Sequence, residues 1–240
     1  MRLAQGFALA FSMLSIIPFF KVHNFFKGIN AYSAMFYPLV GFLLGLLLFG
    51  VHALLSPYFP PTHLGIIIFV LWMIITGALH LDGFSDSVDG LFVSKESALE
   101  VMKDSHVGGM GMSFTIVFLL FKLSSLLYAE AYYLLPVILM FSRLNTTLSI
   151  YFFDYISKGV SSLIKEELEF KHIAIASLYS FVIAYLFSAT SLIFISLFIM
   201  LLTARFFTKR LGGLNGDVYG FMIEVSELAM LNLLIVENFA

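Results

Sequence analysis

Three aspartates follow one another at short intervals in the segment His80–Gly90, which comes directly after an apolar stretch. Asp82, Asp86 and Asp89 are four and three residues apart, a spacing that places them on one face of an α-helix. Carboxylates this close repel one another unless a cation lies between them, and oxygen ligands beside a substrate phosphate suit Mg²⁺. The spacing predicts a magnesium site formed by these aspartates; a solvated acidic segment is the alternative.

A second polar segment, Met102–Gly111, combines Lys103 with several glycines. Glycine lets backbone N–H groups approach a phosphate closely, and lysine supplies a positive charge. The segment leads into a predicted helix near Ser113, and the N-terminal dipole of a helix also favours anions. A structural turn at the start of the helix is the alternative. Besides Lys103, the residues predicted to bind phosphate are Ser105, Gly108, Gly109 and Gly111.

Acidic residues also occur at the start of the last apolar stretch and within it. Asp217, Glu224 and Glu227 share one helical face, and Asn215 precedes them. Carboxylates inside a membrane helix usually indicate a polar cavity or a substrate site. Arg143, in another apolar stretch, is predicted to pair with one of these acids or to bind a substrate phosphate. An internal ion pair without a chemical role is the alternative for the two glutamates.

Three further polar residues receive no place in the predicted site. Lys122 lies within an apolar stretch, and we expect a neighbouring helix to satisfy its charge. His80 and His106 flank the aspartates and are candidates for acid–base chemistry. A hydrogen-bonded structural role is the favoured interpretation for each histidine.

The composition shows which elements must position these residues. Hydrophobic residues make up 60% of the chain and charged residues 12%, with a mean hydropathy of +0.99, so lipid is the expected solvent. The net charge of -2 argues against nucleic-acid binding, and the absence of cysteine excludes disulfides and thiolate metal sites. We predict an all-α, polytopic membrane helical bundle of about seven to eight membrane helices, in a single membrane domain over residues 1–240. The predicted spans are 3–20, 34–55, 64–79, 113–129, 134–153, 173–187, 191–207 and 218–236.

Among the loops, lysine and arginine occur only in alternate ones, which predicts the orientation in the membrane. Because basic loops face the cytoplasm, the loop over residues 80–112 is predicted to be a cytoplasmic active-site loop. Arg2 would lie outside if the first apolar stretch spanned the bilayer, so a position in the membrane interface is the alternative for that stretch. The basic loops are 21–33, 80–112, 154–172 and 205–217, and the loops without lysine or arginine are 56–63, 130–133 and 188–190.

Taken in order, these segments resemble the motifs of the adenosylcobinamide-GDP ribazoletransferase (cobalamin synthase) family over nearly the whole chain. A basic residue usually precedes the early proline in that family, and Ser15–Pro18 has none, so no substrate contact is carried over to this segment. The loop over residues 156–172 does not align. The matching residues are Gly77–Asp86, Asp89, Gly90, Glu100–Ser105, Gly108, Gly111, Ser142, Arg143, Leu211–Gly213, Asn215–Asp217, Gly220, Glu224 and Glu227, together with Pro18 and Pro38–Gly41.

The resemblance implies an enzyme of the bacterial inner membrane, with its active site facing the cytoplasm. Such an enzyme transfers the cobinamide phosphate of adenosylcobinamide-GDP to α-ribazole or its 5′-phosphate, giving adenosylcobalamin or its 5′-phosphate and GMP. The resemblance also implies Mg²⁺, corrinoid nucleotide and ribazole substrates, and a second copy of the chain or other cobalamin-assembly enzymes as candidate partners. Asp89 and Asp104 are the first candidates for the general base, and Lys103 with the glycines would hold the GMP phosphate.

Two other functions fit parts of the sequence. Asp86–Gly90 is similar to the start of the Asp-x-x-Asp-Gly pattern of CDP-alcohol phosphotransferases, but Leu91–Ser94 stands where that pattern requires Ala-Arg. A transporter would use the intramembrane acids to couple ion and solute movement. It would also show paired broken helices in two inverted halves, a pattern that the sequence does not display.

Overall fold

The computed structural model describes residues 2–17, 22, 25–104, 106–157 and 159–239, and most of these residues are helical. A short 3₁₀ turn, Tyr132–Leu134, leads into the seventh helix. The all-α class predicted from the sequence is confirmed. The helices are α1 (Arg2–Leu14), α2 (Ile29–Leu55), α3 (Pro61–Ile75), α4 (Leu79–Leu91), α5 (Ala98–Val101), α6 (Gly109–Ala129), α7 (Leu135–Phe152), α8 (Val160–Glu167), α9 (Phe170–Leu186), α10 (Ser191–Leu211) and α11 (Gly216–Phe239).

Five helices in the described part of the chain are long and apolar enough to cross a membrane: α2, α6, α7 with its preceding turn, α10 and α11. The pair α3 and α4 would provide a sixth span, but its two halves are bent by 81°. Seven to eight spans were predicted. The difference arises because several apolar stretches form short helices, such as α1 with 13 residues and α9 with 17 residues.

The first apolar stretch illustrates this difference. Its helix ends at Leu14, so α1 rises only about 20 Å, whereas the hydrocarbon core of a bilayer is about 30 Å thick. One face of α1 packs on α2, where Gly6 lies against Tyr32. Pro18 lies outside the described residues. The short length of α1 favours the interfacial alternative for this segment.

The apolar stretch over residues 173–207 is divided into two helices, as predicted. Helix α9 ends at Leu186 and α10 begins at Ser191. Between them the backbone of Ser188 adopts a left-handed conformation, with φ at 54°, and its N–H donates to the Tyr185 carbonyl at 3.0 Å. The small polar residues between the helices therefore form the turn of a helical hairpin.

Helix α7 lies in the centre of the bundle, and 89% of its membrane-length window is buried. Helix α2 crosses it closely at two glycines, Gly41 and Gly45, one helical turn apart. A Cβ atom on Gly41 would collide with the carbonyl oxygen of Leu139, and one on Gly45 with the backbone of Pro136. Small residues at this spacing let two membrane helices approach to backbone contact.

The acidic segment forms a helix, α4, rather than an extended loop. Gly77 and Ala78 both have left-handed backbones, with φ at 62° and 51°, and they turn the chain sharply between α3 and α4. Helix α4 then packs against α11 at two glycines. A Cβ atom on Gly83 would lie 2.8 Å from the carbonyl oxygen of Asp217, and one on Gly220 would lie 2.8 Å from the carbonyl oxygen of His80.

Replacing Gly41 with alanine tests the α2–α7 contact. The added methyl group overpacks the contact, and we expect a loss of about 1–3 kcal/mol in unfolding free energy, measured by SDS-titrated unfolding in mixed micelles. Gly50→Ala is the matched control, because Gly50 lies on the same helix with nothing within 4 Å of the added Cβ. Equal effects of the two substitutions would contradict the close contact.

Candidate active site

Three carboxylates interact electrostatically where α4 packs against the first turn of α11. Asp86 interacts electrostatically with Asp82 and Asp217, and Asp217 also interacts with Asp82. Asp82 is exposed, whereas the other two are partly buried. We refer to Asp82, Asp86 and Asp217 as the acidic cluster. It unites two of the aspartates predicted as metal ligands with one that was predicted to bind substrate.

The acidic cluster concentrates negative charge at one place. Helix α4, which carries Asp82 and Asp86, is turned away from the axis of α3 and is not one of the five long membrane-spanning helices. Burial, followed by the charges of Asp82, Asp217 and Asp89, raises the pKa of Asp86 to about 7. A bound cation would offset this repulsion. Lys103, which is exposed, is close enough to act on Asp217.

Asp89, the third predicted metal ligand, is engaged by the glycine segment instead. Its carboxylate is buried and accepts hydrogen bonds from the backbone N–H groups of Gly108, at 2.9 Å, and Gly111, at 2.7 Å. A Cβ atom on either glycine would collide with this carboxylate. Two of the N–H groups predicted to bind phosphate are therefore bonded to a side chain of the protein.

The described residues contain no group of three or more Asp, Glu or His side chains arranged to hold a metal ion. The predicted set of Asp82, Asp86 and Asp89 is divided, because both oxygens of Asp89 accept backbone hydrogen bonds. Mg²⁺ usually binds one or two carboxylates and completes its shell with waters and substrate phosphate oxygens. The acidic cluster offers that donor set, so these residues fit Mg²⁺ bound together with a phosphate substrate.

Asp104 is exposed and bound to its neighbour His106. Its Oδ1 lies 2.7 Å from the His106 ring nitrogen and accepts the His106 backbone N–H at 3.0 Å. These hydrogen bonds lower the pKa of Asp104 below its ordinary value, which weakens it as a base. His106 thus has the hydrogen-bonded role favoured for it. Ser105 lies outside the described residues.

The buried charges of α6, α7 and α11 form one network. The Lys122 ammonium donates to Glu224 at 2.6 Å and to Glu227 at 2.5 Å. Arg143 donates to the other oxygen of Glu227 and, at 2.8 Å, to the hydroxyl of Ser142. Two cations balance two anions here, which is how buried charges are tolerated. The internal ion pair given as the alternative for the glutamates is present.

Lys122 was left out of the predicted site, yet it is the residue that joins both glutamates. It is fully buried, and its ammonium lies 4.3 Å from the ring centroid of Trp72 on α3. The sequence indicated this pairing, because a lysine inside a membrane helix requires acidic partners and only the last predicted span supplies two.

Asn215 positions the acidic residue that follows it. It precedes α11, and its side-chain oxygen accepts the backbone N–H of Val218 at 3.0 Å, as an N-cap does. Its side-chain nitrogen donates to Asp217 at 2.9 Å. Asn215 is buried and holds the Asp217 carboxylate at the start of the helix.

A cavity of about 240 Å³ adjoins the acidic cluster, and Asp82 and Asp217 contribute to its wall. Four buried side chains with polar groups also line it: Tyr37, His80, Thr146 and Tyr219. In the described part of the chain, neither ring nitrogen of His80 has a hydrogen-bond partner, and the hydroxyls of Thr146 and Tyr219 lack one. The Tyr37 hydroxyl donates to the Met13 sulfur at 3.6 Å. His80 was expected to be a hydrogen-bonded structural residue, and the structure differs on this point.

The fold and this site define a polytopic helical membrane protein with an acidic cavity at the meeting point of two helix ends. The chain belongs to the cobalamin-5-phosphate synthase family, whose family model matches residues 6–235. The family resemblance seen in the sequence is confirmed.

Relatives at 34–37% identity cover most of the chain. The adenosylcobinamide-GDP ribazoletransferase of Brevibacillus brevis is 37% identical over 213 residues, which is 85% of this chain and 87% of the relative. The protein of the same name from Desulfitobacterium hafniense is 36% identical over 214 residues, 83% of this chain and 84% of the relative. The one from Desulforamulus reducens is 34% identical over 229 residues, 91% of both chains. No solved structure gives a significant match.

Replacing Lys122 with methionine tests the buried network. The substitution leaves two buried glutamates facing one arginine, and we expect a loss of about 3–5 kcal/mol in unfolding free energy, measured by SDS-titrated unfolding. The double variant Lys122→Met/Glu224→Gln restores charge balance and should recover much of the loss. A double variant no more stable than Lys122→Met would show that the charges are not coupled.

Proposed function

We propose that this chain transfers the cobinamide phosphate of adenosylcobinamide-GDP to α-ribazole or its 5′-phosphate. The products are adenosylcobalamin or its 5′-phosphate and GMP, in the final step of cobalamin synthesis. Three relatives bear the name of this activity, and this chain matches each of them over more than four fifths of its length. The structural observation that supports it is the acidic cluster beside a cavity, because the reaction brings a charged diphosphate and a neutral hydroxyl together.

In the reaction, a ribose hydroxyl of the acceptor attacks the phosphorus attached to cobinamide. A new P–O bond forms, the bond to the GMP phosphate breaks, and the hydroxyl loses its proton. When the acceptor is the 5′-phosphate, the product keeps that phosphate, so the attacking oxygen is a hydroxyl other than the 5′ one. Positioning and charge stabilisation provide most of the catalysis in such transfers.

The acidic cluster has two roles in this proposal. Asp82 and Asp217 would hold Mg²⁺ with substrate phosphate oxygens, and the bound ion offsets negative charge on those oxygens and on the leaving phosphate. The carboxylates of Asp89 and Asp104 are already engaged in hydrogen bonds. The proposed acceptor of the hydroxyl proton is therefore a carboxylate of the acidic cluster.

The remaining predicted site residues have other roles in this proposal. Lys103 is exposed near Asp217 and would contact the diphosphate. Gly108 and Gly111 hold Asp89 and fix the path of the chain into α6. Arg143, Glu224 and Glu227 bond to each other or to Lys122, so their role in the proposed function is to position α11.

We further propose that the site faces the cytoplasm across the bacterial inner membrane. Both segments next to the acidic cluster carry several basic residues, and loops of that kind remain cytoplasmic. The basic residues in question are Lys95, Lys103, Arg205, Lys209 and Arg210. Association with a second copy of the chain or with other cobalamin-assembly enzymes rests on the family resemblance alone.

Replacing Asp82 with asparagine tests the metal role. In membranes supplied with adenosylcobinamide-GDP, α-ribazole and Mg²⁺, we expect GMP and cobalamin formation to fall about 100-fold or more, because charge stabilisation at the phosphate is lost. Chelation of Mg²⁺ should abolish wild-type activity, and added Mg²⁺ should restore it. Glu166→Gln, which neutralises an exposed carboxylate on α8, is the control. Full activity of Asp82→Asn would refute the assignment.

Replacing Gly111 with alanine tests the Asp89 anchor. The added methyl group collides with the Asp89 carboxylate and displaces the segment that carries Lys103, so we expect the turnover number to fall about tenfold or more. In Gly109→Ala the new Cβ meets nothing within 4 Å and the backbone N–H is kept, so activity should stay near wild type. Equal activity in the two variants would argue against the anchor.

A further inference from the structure

The cavity beside the acidic cluster is lined by both apolar and polar side chains. Side chains from α1, α7 and α11 provide apolar surface, including Leu14, Ile150 and Ile223. The polar lining groups without a partner among the described residues are the His80 ring and the hydroxyls of Thr146 and Tyr219, and each of these residues is at most 5% exposed. Buried polar groups without partners are costly, so this arrangement favours a ligand that supplies the missing hydrogen bonds.

The charges around the cavity exclude an isolated phosphate as the occupant. Its described lining includes the carboxylates of Asp82 and Asp217 but no lysine or arginine. An anion entering it would meet like charge and no cation. The two ring nitrogens of His80, which have no partner in the described part of the chain, are available for hydrogen bonds to a ligand. The cavity therefore suits a neutral ligand with polar atoms at its edge.

The volume limits the ligand further. A cavity of about 150 Å³ is enough for a single benzene ring. About 240 Å³ has room for a fused two-ring heterocycle, but a corrin macrocycle with its side chains is far larger. The corrinoid and its diphosphate must therefore remain at the mouth, on the side of the acidic cluster.

We propose that this cavity binds the neutral benzimidazole base of the acceptor nucleoside, with the ribose directed towards Asp82 and Asp217. This inference rests on the proposed function, which supplies a ribosylated benzimidazole as one of the two substrates. The unsubstituted ring nitrogen of such a base accepts a hydrogen bond from His80, Thr146 or Tyr219, and the apolar wall packs against its rings. The ribose hydroxyls then lie where the acidic cluster holds the diphosphate.

Two near-isosteric substitutions test the assignment: Thr146→Val and Tyr219→Phe. Each removes one hydroxyl from the cavity, and we expect the KM for α-ribazole to rise about three- to tenfold. The KM for adenosylcobinamide-GDP should change less than about twofold, because the corrinoid nucleotide stays outside the cavity. Thermal unfolding of each variant checks that the fold is retained.

Thr115→Val is the matched control. Thr115, on α6, also carries a buried hydroxyl that has no partner among the residues the structure describes, but it does not line the cavity. Its substitution should leave both KM values unchanged. If the cavity variants raise the KM for adenosylcobinamide-GDP instead, or leave the KM for α-ribazole unchanged, the base lies elsewhere and the inference is overturned, while the transfer activity itself stands.

A binding measurement separates this inference from the proposed function. Equilibrium dialysis with labelled α-ribazole, without the corrinoid, should show weaker binding to Thr146→Val than to the wild type or to Thr115→Val. That result supports the cavity even if the wild type forms no GMP, in which case only the transfer activity has failed. Equal binding to all three proteins overturns the inference.

Discussion

The close approach of α4 to α11 is the constraint on which the site depends. Gly83 and Gly220 allow the two helices to meet at backbone distance, and this contact places Asp217 beside Asp82 although the two lie far apart in the chain. The left-handed backbones of Gly77 and Ala78 make the contact geometrically possible, because they turn α4 away from the axis of α3. A side chain at either contact glycine would separate the carboxylates and open the acidic cluster.

The buried ion network keeps α11 in the position that this contact requires. A charge in the hydrocarbon region is tolerated only when it is paired, so Lys122 and Arg143 tie α6 and α7 to the glutamates of α11. Asp217, the member of the acidic cluster on α11, lies about two helical turns on the N-terminal side of Glu224. The charges of the network balance one another, so the uncompensated negative charge is at the acidic cluster.

Asp89 shows how one helix serves two purposes. Asp82 and Asp86 belong to the acidic cluster, while Asp89, one turn further along α4, accepts the N–H groups of Gly108 and Gly111. This bond joins the acidic helix to the start of α6. The segment that carries Lys103 is therefore held near Asp217, so this cation lies close to the acidic cluster, whose Asp82 and Asp217 line the cavity. Such a mixture suits a site that must receive a diphosphate and a neutral nucleoside together.

Composition and local spacing determined the membrane class, the all-helical fold, the hairpin turn near Ser188 and the family, because these follow from periodicity and from motifs read along the chain. The same spacing grouped Asp89 with the other aspartates, but helical spacing does not reveal which side chains meet backbone amides from another segment. The partners of Lys122, the place of Asp217 and the cavity that contains His80 depend on contacts between helices remote in sequence. Only the tertiary structure decided them, since helix packing is set by close approach at glycines and by pairing of buried charges.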